Sequence, residues 1–116
     1  MDQRPAARNP HLSAITVAEL RFGVATLPVG KRREGLHDSL ETRVLPLFDG
    51  RVLTFDLTAS RAYAEIMAKA RVAGLAIGSA NGYTAATAVS RGMVVATRDT
   101  APFEAAGVPV VNPWKA

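Results

Sequence analysis

The chain has 116 residues and a hydrophobic fraction of 48%, which is enough for one globular domain with its own core. It contains no cysteine, no apolar run of roughly 18 residues and no signal-peptide core, so disulfide bonds, thiolate metal sites and a membrane span are excluded and we expect a cytoplasmic protein with no membrane partner. The net charge of +4 agrees either with a polyanionic partner such as nucleic acid or with solubility alone.

The first half of the chain predicts two strands and two helices. We expect a short strand at residues 11–15, a helix over residues 16–27, a second helix that stops near Gly50, and a strand at residues 51–55. Both helices are predicted from apolar residues at helical spacing, which should form their buried faces. These residues are Val17, Leu20, Val24 and Leu27 in the first helix, and Leu36, Leu40, Val44 and Leu47 in the second.

Two charged features of this half have two interpretations each. Thr16 and Glu19 match a capping box, in which Glu19 would only bind the amide at the start of its own helix. Alternatively, Glu19 is a functional carboxylate, because it follows a predicted strand. The basic run at residues 31–33 forms either a solvated face or a contact surface for phosphate groups.

The third predicted helix supplies core residues. Asp56 or Thr58 is expected to cap it, and Gly74 is expected to end it. Its apolar residues recur at helical spacing, so we interpret them as core residues rather than as ligands. They are Ala59, Ala62, Tyr63, Ile66, Met67 and Ala70.

The stretch from Ile77 to Asp99 joins an alanine-rich helix to a short apolar strand that ends in a carboxylate. We expect a helix over residues 80–91, a left-handed cap at Gly92, and a strand at residues 93–97. Asp99 then lies at the carboxyl end of this strand, where the loops of a parallel sheet are free to bind ligands. Its position therefore makes Asp99 a candidate site residue.

A final strand at residues 108–111 completes an alternation of strands and helices. This alternation is typical of an α/β fold with a parallel sheet and right-handed crossovers. Glu19 follows one strand and Asp99 ends another, so both are expected at the same carboxyl edge of the sheet. No repeat, low-complexity segment or linker interrupts the pattern, and we therefore treat residues 1–116 as a single domain.

Five sequence blocks resemble the PIN-domain toxins of type II toxin–antitoxin pairs, the VapC family with its FitB-like members. The blocks are LSAITVAELRFGVATLP, LFDGRVLTFD, ANGYTAATA, VVATRDTAPFEAAGV and VNPW, and the resemblance extends from about Pro10 to Trp114. It implies a three-layer α/β/α fold with a parallel sheet, a Mg2+- or Mn2+-dependent endoribonuclease acting on RNA, and a homodimer. It also implies inhibition by a small antitoxin of the VapB or FitA type, through which alone operator DNA is bound.

The resemblance also implies which residues form the site. By position in the family's motifs, Glu19, Asn81 and Asp99 match its metal ligands. Thr97 resembles a hydroxyl residue that positions water or phosphate in family sites. Phosphodiester hydrolysis needs an activated water and stabilisation of charge on the phosphoryl group, which one or two hard cations can supply. Oxygen ligands suit Mg2+ and Mn2+, and the lack of cysteine together with isolated histidines argues against zinc.

Two departures from the family pattern predict impaired catalysis. Asn81 stands where the family has an aspartate, so this position keeps a carbonyl oxygen but loses the charge. The family's opening block, an apolar strand ending in Asp-Thr-Asn, is absent, and we expect a domain that is incomplete at its amino terminus and lacks its first strand. Two unit charges about 4 Å apart interact by about 4 kcal/mol at an effective dielectric of about 20, so losing two carboxylates should weaken metal binding by orders of magnitude.

The alternative function is that of a binding module. In that case the chain is a catalytically inactive PIN scaffold that still dimerises or still binds an antitoxin. A generic nucleotide binder is a third class, and it is disfavoured because no glycine-rich phosphate loop follows any predicted strand.

Overall fold

Short parallel strands alternate with longer helices along the chain. The computed structural model describes residues 10–98 and 100–113 in two units, of which one ends at Leu53 and the other begins at Thr54. The first unit contains β1 (Leu12–Ser13), α1 (Ala14–Ala25), α2 (Lys31–Ser39) and β2 (Val52–Leu53). The second unit contains α3 (Leu57–Val72), α4 (Ser79–Ser90), β3 (Val95–Ala96), α5 (Ala101–Ala105) and β4 (Val110–Val111). None of the helices in these described ranges is long and apolar enough to cross a bilayer.

Each unit contains one pair of parallel strands. Leu12 of β1 lies opposite Val52 of β2, and Val95 of β3 lies opposite Val110 of β4. This arrangement confirms the predicted α/β class with parallel strands. Each strand has 2 residues and is shorter than predicted. In β1 the reason is local, because Ser13 is already the N-cap of α1 and the chain turns into the helix there.

Ser13, and not Thr16, is the N-cap of α1. The Oγ of Ser13 accepts the N–H of Thr16 at 2.9 Å, and the two hydroxyl oxygens are 3.0 Å apart. The predicted capping box is therefore wrong, because the extended backbone of β1 continues through Ser13 and places the cap at that residue. Val17 is buried as predicted, whereas Leu20 is 41% exposed. Glu19 lies within α1 and has no capping role.

The second predicted helix changes its winding after α2. Leu40–Val44 form a π-helical turn, and Leu45–Phe48 form a 3-10 turn. Of the four apolar residues predicted to be buried, only Leu40 is buried, while Leu36 is 42% exposed and Leu47 is 67% exposed. This prediction was wrong beyond Leu40 because a π turn takes up about one residue more than an α turn, so the later side chains leave the α-helical phase.

Helix α3 has the predicted start, end and buried face. The Oδ1 of Asp56 accepts the N–H of Ala59 at 2.9 Å, which decides between the two candidate caps. At the other end Gly74 has a φ of 72°, and the N–H of Leu75 donates to the carbonyl of Ala70 at 2.9 Å. The buried members of the face are Ala59, Ile66 and Ala70, and the partly buried members are Ala62, Tyr63 and Met67.

Helix α4 ends at the predicted left-handed glycine. Gly92 has a φ of 68°, and its N–H donates to the carbonyl of Val89 at 3.0 Å. The N–H of Met93 donates to the carbonyl of Ala88 at 2.9 Å, which completes a Schellman motif. The position of the cap confirms that the chain turns from helix to strand at this glycine.

Helices α3 and α4 carry the core of the second unit. Ala85 and Ala86 of α4 are 0% exposed, and their small side chains let the two helices pack closely. The core cluster contains Ile66, Ala70, Ile77, Ala85, Ala86, Phe103, Ala106 and Val108. That residues 1–116 form a single domain stays a prediction.

Replacing Asp56 with alanine should destabilise the second unit. The change removes the N-cap of α3 and also a carboxylate oxygen that lies 3.4 Å from Nη2 of Arg91. We expect a loss of about 1–2 kcal/mol in the free energy of unfolding, which urea denaturation would measure. Asp49→Ala is the control, because its exposed carboxylate forms no hydrogen bond in the described residues, and its backbone N–H, which caps the 3-10 turn, is kept in the variant. Equal losses in both variants would contradict the prediction.

Candidate functional site

Glu19 lies on α1 with its side chain exposed. Within residues 10–98 and 100–113 its carboxylate forms no hydrogen bond and no ion pair. Because Ser13 caps α1, a capping role does not explain the carboxylate of Glu19. A hydrated carboxylate without a partner is chemically available to a hard cation.

Asn81 lies in the first turn of α4. The N-cap of this helix is Gly78, and its first intrahelical bond runs from the N–H of Gly82 to the carbonyl of Gly78 at 2.8 Å. The side chain of Asn81 is exposed, and in the described part of the chain its amide has no hydrogen-bond partner. The residue that the family motif places at the opening of this helix therefore does lie there.

Gly82 lets the first turn of α4 pack directly against α3. A Cβ atom at this position would lie 2.7 Å from Sδ of Met67 and 3.1 Å from Cε1 of Tyr63. Both distances are shorter than ordinary van der Waals contact, so only glycine fits without a shift of its neighbours. Tyr63 and Met67 pack against the core, which confirms their predicted structural role.

Three aromatic rings surround this contact. Tyr63 and Tyr83 are stacked, with ring centroids 4.4 Å apart and an interplanar angle of 17°. Phe55 meets both edge-on, at 5.0 Å from Tyr83 and 6.2 Å from Tyr63. Desolvation by partial burial, together with hydrogen bonding to the Tyr83 hydroxyl, raises the pKa of Tyr63.

The strand-end residues are described only in part. Thr97 follows β3, and its N–H donates to the carbonyl of Val111 at 3.0 Å. Asp99 and Trp114 lie outside the described residues. The expected meeting of Glu19 and Asp99 at one sheet edge stays a prediction. Among the side chains that the structure does describe, no group of three or more His, Asp or Glu residues could hold a metal ion.

Sequence reasoning missed an ion pair between α1 and the π turn. Nε and Nη2 of Arg21 donate to the two carboxylate oxygens of Glu41, both at 2.8 Å. This bidentate pair raises the pKa of Arg21 and holds the pKa of Glu41 below its ordinary value. The partners are 20 positions apart, so no local pattern in the sequence indicates that they meet.

The same part of the first unit contains a cavity of about 780 Å3. Its walls combine apolar and charged side chains from α1, α2 and the loop between them, among them Val24, Val29, Arg33 and His37. Within the predicted basic run, residues 31 and 32 are exposed, while Arg33 is half-buried and lines this cavity.

A second missed interaction fixes the far end of α4. Nη2 of Arg91 donates to the carbonyl of Thr54 at 2.8 Å and lies 3.4 Å from Oδ2 of Asp56. Its Nη1 donates to the carbonyl of Thr87 at 3.2 Å. Arg91 therefore ties the end of α4 to the segment that precedes α3.

Replacing Glu41 with glutamine should reduce stability at neutral pH but not in acid. The folded-state pKa of Glu41 is depressed by Arg21, so its contribution is present above the unfolded-state pKa and is lost as the pH falls through the folded-state pKa. Urea midpoints of the parent and of Glu41→Gln should differ at neutral pH and converge as the pH falls below the folded-state pKa of Glu41. Glu34→Gln is the control on α2. A difference that persists unchanged in acid would contradict this assignment.

Comparison with known proteins gives one consistent result. The PIN domain family model matches residues 2–108. A VapC ribonuclease of Sinorhizobium fredii is 62% identical over 105 residues, which cover 90% of this chain and 75% of the relative. Toxin FitB of Neisseria gonorrhoeae is 54% identical over 104 residues, again 90% of this chain and 75% of the relative.

The structural comparison agrees. A solved structure of FitAB bound to a DNA fragment has a TM-score of 0.87 and 50% sequence identity, and the match covers 94% of this chain and 76% of the solved chain. The family model spans most of the chain, and more than half of the aligned residues are identical in both relatives. This chain belongs to the PIN domain family, among its VapC-like and FitB-like toxins.

Proposed function

We propose that this chain is the toxin of a toxin–antitoxin pair and a metal-dependent endoribonuclease. The observation that carries the proposal is its 62% identity to a VapC ribonuclease across 90% of the chain. The exposed carboxylate of Glu19, which has no partner in the described residues, supports a role in a site rather than in the fold. We propose that the chain acts in the cytoplasm.

Glu19, Asn81 and Asp99 are the proposed metal ligands, and Thr97 is proposed to position water or phosphate. All three ligands offer oxygen atoms, which is the donor chemistry that fits Mg2+ or Mn2+. When bound, such an ion would supply Lewis-acid stabilisation of charge on the phosphoryl group and activation of a water molecule. The role of Asn81 is then to orient a neutral carbonyl oxygen, since it brings no charge to the site.

The neutral amide of Asn81 should make the metal site weak. A carboxylate at this position would add an attraction of about 4 kcal/mol at about 4 Å and an effective dielectric of about 20, before desolvation is subtracted. Each 1.4 kcal/mol corresponds to about tenfold in binding. We therefore propose that metal affinity, and with it the rate of RNA cleavage, is reduced in this chain relative to an aspartate at position 81.

Titration of Mn2+ by calorimetry tests the metal site without knowledge of the RNA. We expect Asn81→Asp to bind Mn2+ at least tenfold more tightly than the parent, and Glu19→Ala to lose measurable binding. Glu65→Ala is the matched control, because Glu65 is an exposed glutamate on α3 with no partner in the described residues. Equal affinities in the parent and in Glu19→Ala would overturn the assignment of Glu19.

RNA cleavage in the presence of Mn2+ tests the activity itself. Asn81→Asp should cleave faster than the parent, and Glu19→Ala should be inactive at the same protein concentration. Addition of a chelator should stop the reaction in both active proteins, because no residue of the proposed site replaces the charge of the ion. Cleavage that continues in Glu19→Ala with chelator present would contradict the proposal.

An antitoxin and a second copy of this chain are the proposed partners. The solved FitAB relative is bound to a DNA fragment, and we propose that this chain likewise reaches operator DNA only through its antitoxin. Large apolar side chains are exposed on the first unit, where Phe22 is 66% and Val29 is 86% exposed. Apolar side chains that are left in water on a small unit favour coverage by a partner.

A catalytically inactive scaffold is the second candidate, and Asn81 is the observation that favours it. Such a scaffold would bind the antitoxin and would bind no Mn2+ in either the parent or Asn81→Asp. Co-purification with the antitoxin, combined with the Mn2+ titration, separates the two functions. Antitoxin binding with restored Mn2+ affinity in Asn81→Asp supports the nuclease, and antitoxin binding without it supports the scaffold.

A further inference from the structure

We propose that the ring of Tyr83, which packs against the rings of Tyr63 and Phe55, positions the first turn of α4 so that Asn81 can bind the metal ion. The inference rests on the proposed function of Asn81 as a ligand. In this proposal Tyr83 acts through Asn81 and not by contact with the metal or RNA, so Tyr83 is a positioning residue.

Gly82 brings the backbone of α4 into close contact with α3. A side chain at this position would collide with Met67 and Tyr63, at 2.7 and 3.1 Å from its Cβ. The backbone that carries Asn81 therefore lies directly against α3, with Asn81 exposed one residue before the buried Gly82. A displacement of this turn would move the amide of Asn81 with it.

The two tyrosine rings stack between α3 and α4. Tyr63 belongs to α3 and Tyr83 to α4, and their rings are 4.4 Å apart and nearly parallel at 17°. Phe55 packs edge-on against both rings and so contacts each member of the stacked pair. Stacked and edge-on aromatic pairs contribute beyond their buried area, and α4 cannot rotate about its axis without separating them.

The opposite end of α4 is fixed by Arg91. Arg91 binds the carbonyl of Thr54 at 2.8 Å, and Thr54 is the residue directly before Phe55. One short segment before α3 therefore holds α4 near both of its ends. A ligand on a fixed helix binds a cation without first being ordered, and sites that are loose by about 1 Å lose much of their affinity.

The stacked rings, rather than the hydroxyl groups, should carry this effect. Tyr83→Ala removes the ring from the stack, whereas Tyr83→Phe keeps the ring and removes only the hydroxyl. Phe103→Leu is the matched control for a general loss of stability, since Phe103 is 4% exposed in the same core but lies on α5.

The experiment combines hydrogen exchange with Mn2+ titration of the full chain and these variants. Tyr83→Ala should speed amide exchange at residues 82 and 83, the first amides of α4 that are bonded within the helix, and weaken Mn2+ binding by about tenfold or more, while Tyr83→Phe should restore both to near parental values. Phe103→Leu should lower the urea midpoint but leave the exchange at residues 82 and 83 and the Mn2+ affinity of the folded protein as in the parent.

Other outcomes would contradict either the positioning role of Tyr83 or the proposed metal site. Unchanged Mn2+ affinity in Tyr83→Ala, or an equal loss of affinity in Phe103→Leu, would show that Tyr83 has only a structural role and would overturn the inference. If the parent binds no Mn2+ while the exchange results are as expected, the proposed metal site fails and the positioning of the turn by Tyr83 stands. Failure of Tyr83→Phe to restore exchange would overturn the role of the stacked ring.

Discussion

The close contact between α3 and α4 is the constraint on which the second unit depends. Gly82, Ala85 and Ala86 place almost no side chain between the helices, so the backbones approach and Ile66 fills the remaining space. Phe103 then closes the cluster from α5. Burial of each large apolar side chain contributes roughly 1.5–3 kcal/mol, and that contribution is obtained only while the helices stay at this distance. Small residues on α4 are therefore a requirement of packing.

The same contact links the core to the candidate site. Asn81 is exposed and Gly82 is buried, so one peptide step separates the proposed ligand from the packing surface. Changes that loosen the core near Tyr63 therefore reach the site directly, without any longer route through the molecule. Under the proposed role of Asn81, this adjacency couples the stability of the α3–α4 contact to the position of the ligand.

The charged side chains of the described residues differ in whether they have a partner. Arg21 and Glu41 neutralise each other in an exposed pair, and the charge of Arg91 is directed at Asp56 and at backbone carbonyls. Glu19, by contrast, has no partner among the described residues. In the proposed metal site, Glu19 would supply such an uncommitted carboxylate, whereas Asn81 would supply a neutral amide oxygen.

The sequence by itself determined the α/β class and the PIN family, from the order of elements and motifs along the chain. It also determined the buried face of α3 and the glycines that end α3 and α4, because these depend on spacing and residue type within one or two helical turns. For the cap of α3 it left Asp56 and Thr58 as candidates, and the structure decided for Asp56. Only the tertiary structure decided that Ser13 caps α1, that the chain after α2 winds as a π turn, and that the Tyr63 and Tyr83 rings stack. It also revealed the pairs Arg21–Glu41 and Arg91–Asp56, whose partners are far apart in sequence. Periodicity cannot indicate such contacts, since they form only when packing brings distant segments together.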